Sequence, residues 1–453
     1  MGIDMEDRKG FYKSFFQICV ALILQNVMTL AVNLADNMMI GGYSEISLSG
    51  VAAVNQIQFI YQQLLLALGD GVVIVCSQYW GKKKLEPMRK ISAIGMQSAM
   101  IIAGVLFFLV SVFPMQMMHL FTDEMPIIAE GMEYLAIIRF TYFFFAVSML
   151  LLAVLRSVEI VKIAFILSVI TFCINCGINA VLIYGRFGFP ELGVRGAAIG
   201  TLAARIIECI VVLFFVIKKE DRLRLKLQPF FRFHKEYMKD YFRITLPNLI
   251  VQGLWGVNTA LQTVILGHMT AAAIAANSMA STLFSVIKSM AIGSASAASV
   301  IIGKAIGSGN MEQVQSYSKI LQKMFLLIGV AGGIVLFFLR IPVLSMYNLS
   351  EETMRMANQF LIVLSVILVG MSYQMPTNTG IIRGGGNAMH MVKMDLVSIW
   401  CIVIPVSFLA AFVFHASPLI VVCCLNSDQI FKCIPAYVVS NHRNWVRVLT
   451  KES

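Results

Sequence analysis

Residues 22–40, LILQNVMTLAVNLADNMMI, form an apolar run long enough for a membrane span that nonetheless carries Asn26, Asn33 and Asp36. A carboxylate inside hydrocarbon costs several kcal/mol unless it is protonated, paired or wetted, so Asp36 marks a candidate transport pathway or coupling site. The run decides the fold class because others like it recur along the chain.

Of the 453 residues, 58% are hydrophobic and 13% charged, with a mean hydropathy of +0.81. That is too oily for one soluble core under a polar surface. Each window of about 18–25 apolar residues can cross the ~30 Å hydrocarbon layer as a helix. Twelve such windows are predicted: 13–38, 48–78, 92–116, 131–155, 160–183, 194–217, 242–267, 276–302, 317–340, 356–380, 391–414 and 417–438. The fold class expected is all-α and integral to the membrane. The first window is too long for a removable signal peptide and has no small-residue cleavage site, so it is expected to remain as a span.

The net charge of +11 concerns topology and lipid, not nucleic acid. With a cytoplasmic amino end, alternate loops and the tail hold most of the 35 Lys and Arg. Outside lie Arg186, Arg195, Arg340 and Arg355, and Arg139, Arg205 and Lys288 fall within spans. This positive-inside bias predicts that both termini are cytoplasmic.

The longest hydrophilic connection, Lys218 to Arg243, lies mid-chain and bears nine basic residues. It reads as a linker, 218–241, between an amino lobe, 1–217, and a carboxy lobe, 242–453. An offset of 226 residues lays Gly41 on Gly267, Gly81 on Gly307 and Glu86 on Glu312. Two pseudo-symmetric six-helix lobes are therefore expected, parallel repeats with substrate between them. Helix breaks are expected where Pro247 opens span seven, Pro376 interrupts span ten and Gly69-Asp70-Gly71 weakens span two.

No Gly-x4-Gly-Lys-Ser/Thr motif is present, and Gly303-Lys304-Ala305-Ile306-Gly307-Ser308-Gly309 has the wrong order, so ATP is not the fuel. The six histidines are scattered, and Cys173-x-x-Cys176 lies within a span without a second ligand pair. No segment outside the membrane is large enough for a catalytic domain, so an enzyme is not expected and no cofactor is called for.

Ion coupling then needs a carboxylate. Those read within spans are Asp36, Asp70, Glu208 and Asp395. Glu208 follows Arg205 by three positions, one helix face, as a structural ion pair would. Asp70 is either a second ionisable site or a cap for the break at its glycine neighbours. Asp395 is a further ionisable candidate or a partner for Lys393. Asn175 and Asn179, at i and i+4, face one way in span five. With Asp36 they offer oxygen ligands to Na⁺, or hydrogen bonds to a protonated carboxyl. Interhelical glue is the plainer alternative.

Asn175-Cys176-Gly177-Ile178-Asn179, followed by Tyr184-Gly185-Arg186-Phe187-Gly188-Phe189-Pro190-Glu191-Leu192-Gly193-Val194-Arg195-Gly196-Ala197-Ala198-Ile199-Gly200-Thr201, closely resembles a signature of the multidrug and toxic compound extrusion (MATE) family. So do Asp36 with Met38-Met39-Ile40-Gly41, Gln78-Tyr79-Trp80-Gly81-Lys82-Lys83 and Arg383-Gly384-Gly385-Gly386-Asn387. The resemblance covers essentially the whole chain. It implies an antiporter of the bacterial plasma membrane that expels organic, often cationic, small molecules in exchange for H⁺ or Na⁺. On matching positions it puts the cation site at Asp36, Asn175, Asn179 and Thr201. The span-one proline common in the family is absent, with Gln25 nearby, and Asn179 stands where some members have a second acid. No Asp or Glu lies between Asp240 and Glu312 or between Glu352 and Asp395, which leaves Asp395 as the one carboxy-half candidate.

Amides and aromatics suited to a polyspecific cavity are Asn33, Asn55, Gln58, Gln62, Gln252, Trp255, Asn258, Tyr373 and Gln374. A monomer in the lipid bilayer is expected. The rivals are a lipid-linked-saccharide flippase of related fold, which needs a cationic cavity, an integral-membrane enzyme, and a channel.

Overall fold

In hydrocarbon every backbone N–H and C=O needs an internal partner, so a chain of this composition runs as helices. The computed structural model describes residues 5–223, 234–267, 271–345 and 350–450, and among them no strand occurs. In chain order the helices are α1 (Met5–Gly41), α2 (Glu45–Gly81), α3 (Leu85–Val112), the short α4 (Pro114–His119), α5 (Met125–Ile138), α6 (Thr141–Ser157), α7 (Lys162–Leu182) and α8 (Gly193–Lys218). There follow α9 (Lys235–Gly267), α10 (Ala271–Gly307), α11 (Met311–Leu344), α12 (Glu351–Pro376), α13 (Ala388–Asp395), α14 (Ile404–Phe408), α15 (Pro418–Leu425), α16 (Asp428–Phe431) and α17 (Cys433–His442).

Ten helical segments among the described residues are long and apolar enough to cross a membrane, and the pair α5 and α6 makes an eleventh. The 33-residue α9 completes the expected twelve by length and place. Its Asn248, Gln252, Asn258 and Gln262 lower its hydropathy. The two 37-residue helices α1 and α2 reach about 55 Å at 1.5 Å per residue, so their ends stand beyond the hydrocarbon.

Three breaks differ from expectation. Span four is not one straight helix: α5 and α6 meet at 56° across Arg139 and Phe140. The Thr141 hydroxyl donates to the Ile138 carbonyl at 2.6 Å there, competing with the helical ladder. Gly69-Asp70-Gly71 does not break α2, which is continuous. These glycines serve close packing instead: a Cβ on Gly71 would lie 2.2 Å from Thr245 Oγ1, and one on Gly69 3.2 Å from Ala153. Pro247 lies inside α9 and does not open it. Pro376 does end regular α geometry in span ten, and a π-helical stretch, Thr377–Ile382, follows it.

The chain forms two compact units, Leu24–Cys76 with Lys84–Thr245, and Met1–Ile23 with Ser77–Lys83 and Leu246–Ser453. The chain passes between them inside α1, near the end of α2 and inside α9. Of the expected linker 218–241, residues 224–233, with Arg224, Lys226 and Arg232, lie outside the described residues. In the first unit α8 packs on α5, α6 and α7. In the second, α10, α11 and α12 pack on one another around Phe360, Leu361 and Leu368.

The repeat shows in the second unit as a contact. Gly81 and Gly307, related by the 226-residue offset, meet: a Cβ on Gly81 would lie 2.9 Å from Gly307 Cα, and one on Gly307 1.9 Å from the Gln78 carbonyl oxygen. Beside them the buried Gln78 side chain donates to the Arg447 carbonyl at 3.0 Å and accepts from Leu449 N–H at 2.8 Å. Arg447 N–H in turn donates to the Gly385 carbonyl at 2.8 Å. The glycine motifs after spans two and ten thus bind the carboxy-terminal segment.

Gly307→Leu is expected to cost about 1–3 kcal/mol by overpacking, seen as a lower Tm of the purified protein in detergent. Gly104→Ala, whose new Cβ meets nothing within 4 Å, is expected to hold or raise Tm.

Candidate cation site

The second half of α1 carries Asp36, α7 carries Asn175 and Asn179, and α8 carries Thr201, all within one compact unit. Small residues make the approach of α7 to α8 possible. Gly196 and Gly200 are spaced four apart on α8. A Cβ at Gly196 would lie 2.7 Å from the Leu182 carbonyl, and one at Gly200 2.0 Å from Asn179 Oδ1. This is the close-packing logic of small residues at intramembrane interfaces. The connection between these helices also fastens the end of α1, since the Tyr184 hydroxyl donates to the Met39 carbonyl at 2.7 Å. Gly193, at φ +51°, lies against the Tyr43 ring, where a side chain would clash.

The four expected residues come together. Asn179 Nδ2 donates to Asp36 Oδ1 at 2.7 Å and to Asn175 Oδ1 at 3.3 Å, and Asn175 Nδ2 donates to Thr201 Oγ1 at 3.2 Å. Asn175 and Asn179 are 1% and 0% exposed, and Asp36 is half-buried. Asn179 Oδ1 has no donor. Tyr134 of α5, which sequence reasoning missed, reaches Thr201 with its hydroxyl. The sequence signal for it was slight, one tyrosine in an apolar window.

Asp36 has no ion-pair partner among the described residues. The nearby Arg205 is taken by Glu208 at 2.7 Å and lies over the Phe145 ring, 4.4 Å from its centroid. Asp70 pairs with Arg156 at 3.1 Å, and because α2 is continuous it caps no helix break. Asp395 is bound by Lys432 at 2.8 Å and not by its neighbour Lys393. Lys432 also pairs with Asp428 at 3.0 Å. Sequence reading missed both Asp428 and Lys432. By position Lys432 groups with the basic tail, yet the two stand at i and i+4 inside the twelfth window, a legible signal.

The residues expected to line a cavity are dispersed. Asn33 is exposed on α1, Asn55, Gln58 and Gln62 are half-buried on α2, and Gln58 Nε2 has no partner. On α9, Gln252 and Trp255 are half-buried and Asn258 is buried, its Oδ1 unpaired. Two are engaged internally. Tyr373 donates to Gln322 Oε1 at 2.9 Å, and Gln374 donates to Gln429 Oε1 at 2.7 Å.

A profile of the MatE family matches residues 21–181 and 247–409, most of the chain and both halves. The chain belongs to the MatE family. It is therefore one of a family of membrane-spanning transporters, and not of enzymes. This MatE protein is 24% identical over 449 residues to the probable multidrug resistance protein NorM of Thermotoga maritima, covering 97% of this chain and 95% of the relative. Its fold matches a crystal structure of MATE in complex with MaL6 at a TM-score of 0.86, with 17% identity and coverage of 94% and 95%. It also matches the eukaryotic MATE transporter AtDTX14 at 0.84, with 17% identity and 96% of each chain covered.

The Arg205–Glu208 pair supports α8 in this MatE protein. Glu208→Gln is expected to cost up to about 3 kcal/mol by stranding the guanidinium, with most of the loss recovered in Arg205→Met/Glu208→Leu. Thermal unfolding in detergent reads both.

Proposed function

We propose that this protein is a secondary antiporter that exports organic, mainly cationic, multidrug-type compounds in exchange for H⁺ or Na⁺ taken up at Asp36. One observation carries the reading. Asp36 is a half-buried carboxylate in a spanning helix that receives an amide N–H but no cation among the described residues. A charge so placed is completed by an exchangeable cation. The name of the Thermotoga maritima relative, a probable multidrug resistance protein, supports the substrate class.

An amide presents donor or acceptor according to how it is turned. As placed, Asn179 donates to an ionised Asp36. Turned over, its Oδ1 accepts the proton of a neutral carboxyl, or joins Asp36 and Asn175 as an oxygen ligand to Na⁺. Cation uptake thus changes what α7 offers α1 and biases the position of α1, the step that couples loading to alternating access. One monovalent cation exchanged for one monovalent drug cation is electroneutral, driven by about 1.4 kcal/mol per tenfold gradient. Unequal charge adds about 2.3 kcal/mol per charge per 100 mV. The basic loops orient both termini to the cytoplasm of a bacterial plasma membrane. The flippase reading draws less support, because of the three cations within spans Arg205 is neutralised by Glu208, Arg139 is held over the Phe107 and Phe140 rings, and Lys288 over the Trp255 ring.

Ethidium efflux from vesicles under an imposed ΔpH or ΔpNa tests this. Wild type is expected to respond to one gradient, and Asp36→Asn to neither. Gradient-driven efflux that survives Asp36→Asn unchanged would sink the assignment. Gly200→Ala is expected to displace the Asn179 amide, lowering gradient-driven efflux as Asn179→Ala does while the protein stays folded.

A further inference from the structure

The compact unit built from the carboxy half holds a charge cluster that coupling at Asp36 does not use. Asp395 ends α13, Asp428 opens α16 and Lys432 follows it. The Lys432 ammonium lies 2.8 Å from Asp395 Oδ1 and 3.0 Å from Asp428 Oδ2, and the Lys432 and Asp428 side chains are each 5% exposed. All three fall within the spanning segments Ala388–Val413 and Pro418–His442. One ammonium between two carboxylates leaves one negative charge in excess.

The surroundings do not supply the missing positive charge by contact. Lys288 of α10 is a further cation on the Asp428 side and acts on it through space. It lies over the Trp255 ring, 5.4 Å from its centroid, and makes no ion pair among the described residues. His390 and Lys393 of α13 stand on the Asp395 side, with Arg443 beyond α17. Cys433 and Tyr437 of α17 face Tyr373 of α12. Counted over the groups in contact, two carboxylates and one ammonium, the cluster is one positive charge short of neutrality.

A chain of amides starts from that charge. Gln429 Nε2 donates to Asp428 Oδ2 at 2.9 Å, Gln374 Nε2 to Gln429 Oε1 at 2.7 Å, and Asn378 Nδ2 to Gln374 Oε1 at 3.1 Å. All three amides point their donors toward Asp428, the polarity an ionised carboxylate imposes. At the far end Asn378, 1% exposed, is left with an unpaired Oδ1. If Asp428 carries a proton it becomes a donor. The three amides then turn over, each bond is kept in reverse, and Asn378 Oδ1 gains its donor. Asn378 lies in the π-helical stretch after Pro376, and Asp395 directly precedes the π-helical Leu396–Val403. Asn426 and Ser427 interrupt span twelve just before Asp428, with the Asn426 amide and the Ser427 hydroxyl donating to the Val422 and Cys424 carbonyls. Such departures from α geometry concentrate at functional sites.

We propose that Asp395, Asp428 and Lys432 form a second proton-binding site, in which the two carboxylates hold one exchangeable proton between them and the amide chain passes its occupancy to Asn378 in span ten. The proton bound is released to water when the site empties, and no other covalent bond changes. The site stands independently of whether Asp36 is the coupling residue.

Infrared difference spectra of the purified full-length protein in lipid vesicles, taken between acidic and alkaline pH, read the protonated-carboxyl C=O band directly. The band is expected in Asp36→Asn and lost from its intensity in Asp36→Asn/Asp428→Asn and in Asp36→Asn/Asp395→Asn. Identical bands in the single and both double variants would overturn the site. Asp→Asn keeps side-chain volume and leaves Lys432 one carboxylate, so both doubles are expected to fold, as Tm checks. Gln374→Leu cuts the chain and is expected to keep the band while slowing ΔpH-driven ethidium efflux. Unchanged efflux there overturns the transmission to Asn378. Only that arm rests on the transport reading, whose own failure would appear as Asp36→Asn efflux equal to wild type.

Discussion

A charge in hydrocarbon is stable only when another group completes it, and this constraint sorts the carboxylates of the protein. Asp70 has Arg156, Glu208 has Arg205, and Asp395 and Asp428 share Lys432. Asp36 has amides alone among the described residues. Its neighbours are arranged around that deficit: Asn179 aims a donor at it, Asn175 holds Asn179 and is itself held by Thr201, and Gly200 leaves the room Asn179 needs. The nearby Arg205 is held by Glu208.

The second constraint is close approach. Where interior helices cross, there is little gain from burying apolar surface against equally apolar lipid, so contact depends on fit. Gly196 and Gly200 admit α7, Gly81 and Gly307 admit each other, and Gly71 admits Thr245. Much of what makes the sequence recognisable has this structural task. The Tyr184 to Gly200 block fastens α1 and α7, while Gln78 and Gly385 bind the carboxy-terminal segment.

The apolar windows were legible because a span has a minimum length and excludes charge, and the Asn175–Asn179 pair because helical periodicity is fixed. The bend at Arg139 was hidden, since neither Pro nor Gly marks it and only a threonine hydroxyl, donating to the Ile138 carbonyl, stands there. The glycines around Asp70 misled in the opposite sense. Read as a weakness in α2, they are its packing surface. Asp428 and Lys432 were readable at i and i+4, but their partner Asp395 lies 33 residues from Asp428, a separation no local pattern bridges.

By itself the sequence determined that the protein is a helical membrane protein of about twelve spans, and it singled out Asp36 as a carboxylate inside a span. Hydropathy and period are local quantities, set by residues within a few turns of one another. The tertiary structure alone decided which carboxylates are free. Pairing depends on distances of about 3 Å between residues far apart in the chain, and such distances exist only once the helices have packed.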